Sequence, residues 1–154
     1  MARYAERTSV DVVSTRLEIE RLVGRHGGDD VLAGSIQGKA FVQFRMKGRW
    51  VRLTVPTPSV NDKIIQKGPN GGVRTERQKE TAVEAELRRR WRALLLLVKA
   101  KFTAIEDGIT QFEEEFLAHV IIDQNRTVYE VMREPIDEHY TLGKPLALPS
   151  PSGF

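Results

Sequence analysis

Between residues 83 and 105 the apolar positions recur in steps of three and four: Val83, Leu87, Trp91, Leu94, Leu95, Val98, Phe102 and Ile105. That spacing is one buried stripe on an α-helix. It predicts a long helix over about 76–107, stopped by Gly108. Leu96 and Leu97 lie beside a stripe that is already complete. They can be buried in two ways, against the C-terminal helices of the same chain or against another copy of the helix in a homodimer.

Upstream the period changes to two. Residues 39–46 and 49–55 alternate apolar and polar side chains around "KG", and a weaker run at 31–36 precedes "QG". Two-residue turns containing glycine are a hairpin signal, so the pattern predicts a three-stranded antiparallel meander. Pairing Met46 with Arg49 sets the register. Ala40, Val42 and Phe44 then share a core face with Val51, Leu53 and Val55. The opposite face carries Phe41, Gln43 and Arg45 against Thr54, Arg52 and Trp50, with Leu32 and Ile36 as possible neighbours from the first strand.

Before the meander, Ile19, Leu22 and Val23 fall on one face of a short helix. Ser14 is a candidate N-cap, and "GRHGG" ends the helix. After the meander, residues 56–75 hold two prolines and "GPNGG" and read as an exposed, mobile arm with a small hairpin as an option. Two shorter helices follow the long one. "TQFE" at 110–113 reads as a capping box ahead of Phe112, Phe116, Leu117 and Val120, and "TVYE" at 127–130 as a second. Pro135 is a point of kinking, and 144–154 is a proline-rich tail. The fold class is therefore α+β: N-terminal helix, three-stranded meander, long helix, two shorter helices, all in one domain over 1–143.

The 154 residues, 40% hydrophobic and 29% charged, are ordinary for a soluble domain. There is no cysteine, hence no disulfide or thiolate chemistry. No stretch reads as a signal peptide or a membrane span, which suits a cytoplasmic protein without a membrane partner. Charge changes the picture. Through Lys101, 21 Lys or Arg face 11 Asp or Glu, a net of +10; from Phe102 onward 3 face 10, a net of −7. Such asymmetry suits an anionic partner for the basic half, and it suits equally an internal network of ion pairs.

Candidate chemistry is sparse. His26, His119 and His139 lie in different elements, and Glu115 with His119 gives two ligands without a third, so no metal site is expected. "FEEEF" scatters its carboxylates around a helix. "KGPNGG" lacks the Lys-Ser/Thr of a phosphate-binding loop. No cofactor and no enzymatic activity is expected. The sheet's second face is the strongest lead. Phe41 and Trp50 supply stacking surfaces and Arg45 and Arg52 supply cations, the two features that hold single-stranded nucleic acid. No acidic residue occurs between Lys39 and Val60. Lys47, Lys63, Lys67 and Arg74 extend the basic set. On the opposite reading, the C-terminal helices cover this face and their carboxylates pair with its arginines.

The segments "RTSVDVVSTRLEIERLVGRHG", "RWRALLLLVKAKFTAIEDGITQFEEEFLAHVI" and "NRTVYEVM" resemble parts of small uncharacterised proteins encoded in phages, prophages and neighbouring bacterial mobile DNA. The resemblance omits 56–75 and the tail. It implies a phage-derived accessory protein in the bacterial cytoplasm. Two functions follow as expectations: a non-enzymatic nucleic-acid-binding accessory protein using the basic and aromatic sheet face, or a protein-interaction factor acting through the helical half.

Overall fold

The computed structural model describes the backbone of residues 2–146 and the side chains of 11–146. The expected tail therefore lies outside the described residues from position 147 on. The architecture is α+β, with an antiparallel sheet packed by one face onto two long helices.

The sheet has the order β1 (Asp29–Ile36), β2 (Lys39–Met46), β3 (Arg49–Pro56). Both turns are tight. Gln37 and Gly38 have φ of 51° and 72°, and Lys47 and Gly48 have 50° and 72°. Two successive left-handed residues match the right-handed twist of the strands, which fixes the register at Met46 opposite Arg49 and Ile36 opposite Lys39. The apolar face then falls as the alternation requires: Ala40, Val42, Phe44, Val51, Leu53 and Val55 are all buried. β1 begins two residues earlier than its pattern suggests, through an irregularity between Asp29 and Leu32 where Asp30 has φ of 52°.

Under this face lie α1 (Ala2–Arg25) and α3 (Glu76–Glu106). They run parallel, since Asp11 meets Arg88, Glu18 meets Lys99 and His26 meets Glu106 in step. Trp91, Leu94, Leu95, Val98 and Phe102 of α3 join Ile19, Leu22 and Val23 of α1 in one core with the sheet. Ser14 is not a cap. It sits exposed inside α1, because Val12 is buried and Asp11 is held by Arg88, so the turns upstream already have a place to pack. Thr75 and Gln78 close a capping box at the start of α3, a T-x-x-Q signal that the periodicity alone does not reveal. Further along the helix, Glu86 accepts from Arg89 at 2.8 and 2.9 Å and from Arg90 at 2.9 Å. The bond to Arg89 leads in lowering its pKa to about 2.

Residues 56–75 are folded rather than open. α2 (Lys63–Gln66) buries Ile65 and packs on α3. Lys67 pairs with Val73 around the glycine turn, and Arg74 donates to the carbonyls of Ile64 and Ile65.

The region after α3 departs most from its sequence reading. α4 (Phe112–Glu115) is a single turn that starts after Gln111 with no side-chain cap, so the "TQFE" box does not form. Phe112 and Phe116 are both buried, with Phe116 5.3 Å from the ring of Phe102 and edge-on to Phe44 at 5.9 Å. With those rings seated, the chain leaves the helical path through a 3-10 turn at Leu117–His119. Val120 then bridges Val51, and Ile121 donates its N–H to the Trp50 carbonyl at 2.8 Å. A β-branched pair thus covers the start of the outer edge of β3, at Trp50 and Val51. α5 (Val128–Leu142) begins at the expected Thr127/Glu130 capping box, runs through Pro135, and ends at Gly143 with φ of 66°.

Leu96 and Leu97 remain 64% and 46% exposed. The C-terminal helices of the same chain do not bury them.

Candidate functional site

Two surfaces compete for the role: the outer face of the sheet and a groove in the C-terminal half.

On the outer face, register places Leu32, Gly34 and Ile36 beside Lys39, Phe41, Gln43 and Arg45, and these beside Trp50, Arg52 and Thr54. Phe41 and Trp50 are each half-buried. The Phe41 ring lies over Gly34, where an added Cβ would come within 3.0 Å of it. The aromatic surface is thus partly open, but the arginines are committed. Arg45 is bound to Asp29 at 3.1 Å and Asp30 at 3.0 Å, and its guanidinium stands 6.0 Å from the Trp50 ring centre. Arg52 is only 8% exposed. It donates to the Asn125 carbonyl at 2.7 Å, to the Asn125 side chain at 3.2 Å and to Glu130 at 3.4 Å. Gln124 and Asn125 take left-handed φ of 50° and 60°, which turns both Asn125 oxygens toward the guanidinium. Glu130 is held below the usual carboxylate range, first by the Thr127 backbone N–H and also by Arg52.

The other basic residues are scattered. Lys47 is exposed in the second turn, with its ammonium 5.9 Å from the Phe112 ring. Lys63 and Lys67 are exposed and make no ion pair among the described residues, whereas Arg74 is engaged by carbonyls of α2. These three belong to the segment that packs through α2 on α3, and α3 covers the other side of the sheet. The structure therefore gathers Phe41, Arg45, Trp50 and Arg52 on one face and leaves Lys63, Lys67 and Arg74 elsewhere.

The second surface is a groove of about 1050 Å³ between α5 and the segment 114–119. Tyr129, Met132, Ile136 and Tyr140 present one apolar side of α5 to it, and Leu117 faces them. Of α5 only Val131 is buried; Tyr129 and Tyr140 are 56% and 82% exposed. Glu114, Glu134 and Asp137 border the groove and make no ion pair among the described residues, while Glu115 is paired with Lys101 at 3.1 Å. His119 is half-buried here, and burial followed by the Lys101 charge lowers its pKa. Arg133 also lines the groove and makes no ion pair among the described residues, so the chemistry on offer is an apolar trough whose rim carries more carboxylates than cations. Its sequence signal is the step of three, four and four from Tyr129 to Tyr140. Residues attributed only to a capping box and a kink conceal it.

Among the described residues no group of three or more His, Cys, Asp or Glu is placed to hold a metal ion. Nor, among them, is any helix long and apolar enough to cross a membrane. Comparison with known proteins returns no matching family model, no matching curated protein and no matching solved structure.

Proposed function

We propose that this is a non-enzymatic protein-interaction factor that receives an amphipathic, basic helical segment of a partner in its C-terminal groove. One observation carries the reading: α5 turns Tyr129, Met132, Ile136 and Tyr140 toward a trough large enough for side chains of a second helix. The unpaired carboxylates of Glu114, Glu134 and Asp137 outnumber the one unpaired cation of the lining among the described residues, Arg133, and so favour a cationic ligand and raise its rate of encounter. The resemblance to phage-encoded proteins fits an inhibitor or assembly adaptor working in a bacterial cytoplasm.

A fluorescent amphipathic Leu/Lys helical peptide is the probe. It should bind the full chain, and Ile136→Asp should weaken binding by about tenfold or more, since a carboxylate would enter the apolar contact. A Leu/Glu peptide of the same length should not bind. Absence of binding by the Leu/Lys peptide, or equal binding to Ile136→Asp, removes this reading.

Nucleic-acid binding is the second reading, favoured by the half-open rings of Phe41 and Trp50. With Arg52 buried and Arg45 paired, stacking would contribute more than phosphate neutralisation. Anisotropy with labelled single strands, duplex DNA and RNA across a salt series separates the two. Trp50→Ala would remove about 1–3 kcal/mol if a base stacks there. No binding of any nucleic acid at low salt leaves the groove as the remaining candidate.

A further inference from the structure

The two edges of the sheet are treated differently. β3 is met at its start, where Val120 bridges Val51 and Ile121 donates to the Trp50 carbonyl, and the Arg52 side chain beyond is enclosed by Asn125 and Glu130; the far edge of β1 pairs with nothing among the described residues. In a two-residue hairpin the flanking residues, and every second residue beyond them, exchange backbone hydrogen bonds. Here these are Leu32, Gly34 and Ile36, opposite Gln43, Phe41 and Lys39. Val31, Ala33 and Ser35 therefore aim their N–H and C=O groups outward. Residues 31–36, "VLAGSI", contain no charge and no proline, the usual means of blunting an open edge. Leu32 and Ile36 are 53% and 50% exposed on the same side as Phe41.

We infer that β1 pairs antiparallel with β1 of a second copy of this chain about a twofold axis, joining two sheets into one of six strands. The outward parity leaves few registers, and one satisfies both backbone and side chains. With Gly34 on the axis, Ala33 exchanges hydrogen bonds with Ser35 of the second copy, and Leu32 lies across from that copy's Ile36. Two such apolar pairs then flank a position with no side chain. An axis at Ala33 would instead set Leu32 against glycine. Charge agrees with the glycine-centred register. Asp29 and Asp30, which share the single cation of Arg45 at the entry of β1, approach the other copy's Gln37–Gly38 turn and the adjacent Lys39, which is exposed and makes no ion pair among the described residues. This joint is independent of the C-terminal groove and also of the exposed Leu96 and Leu97.

The test is sedimentation equilibrium of the full chain. A small edge joint predicts a reversible dimer at concentrations on the order of tens of micromolar. Ala33→Pro removes only an outward N–H, so the ladder to β2 stays intact. Ile36→Lys places a charge against Leu32 of the second copy. Each should weaken association by about tenfold or more, with an unchanged circular dichroism spectrum, and Leu96→Asp should leave the dimer intact. Ile36→Lys also serves as the folding-neutral variant should the proline disturb the strand. A monomeric wild type overturns the inference. So does a dimer that both edge variants leave intact, or one that Leu96→Asp or Ile136→Asp dissolves.

Discussion

Two arginines on one sheet face have opposite fates, and the difference is energetic. Arg45 pairs with Asp29 and Asp30 at a site where all three side chains are about half exposed or more. Such pairs contribute little, so Arg45→Ala should change stability by less than about 1 kcal/mol. Arg52 is enclosed, and its loss would leave the Asn125 oxygens and Glu130 without their donor. Arg52→Ala should cost about 2–3 kcal/mol, read as a lower urea midpoint in equilibrium unfolding. Equal effects of the two substitutions would mean that the turn at 123–127 is not anchored through Arg52. Sequence alone presents these residues as equals, because their alternation is identical. What separates them lies 73 positions away along the chain, at Asn125.

At the scale of elements, the meander is specified by turn chemistry that is only partly ideal. Lys47 holds a left-handed φ of 50° that favours asparagine or glycine. Lys47→Asn makes the turn Asn-Gly and should stabilise the protein by about 1 kcal/mol, seen as a higher midpoint in thermal unfolding. The helices divide by the same logic of local signals. α3 and the start of α5 are written in periodicity and capping residues. α4 has the composition of a helix start, yet it stops after one turn, with Phe112 and Phe116 both buried and Phe116 against Phe102.

For the whole molecule, the contrast between a basic first part and an acidic second part is partly offset within the chain. His26 with Glu106, Arg49 with Glu113, Arg52 with Glu130 and Lys101 with Glu115 all join one part to the other. Three further carboxylates of the second part, Glu114, Glu134 and Asp137, lie at the groove. Stability should be uneven across this layout. β2 and β3 supply much of the core, while α5 is held through Val131, its cap and the 3-10 turn beside it. Native-state hydrogen exchange should therefore show the amides of 136–142 opening well before those of β2. Equal protection of both segments would mean that α5 is packed more firmly than its exposure indicates.

The α+β order of elements, the register of the meander, the buried stripe of α3 and the cap of α5 are all legible in the residues themselves. Each depends on interactions between residues at most a few turns or one hairpin apart. The enclosure of Arg52, the arrival of Val120 and Ile121 at the start of β3 while the β1 edge stays open, and the uncovered apolar side of α5 follow from long-range packing. Those outcomes depend on which distant segment arrives at a surface. Periodicity states that a side chain can be buried, but the packing of the whole chain selects what buries it.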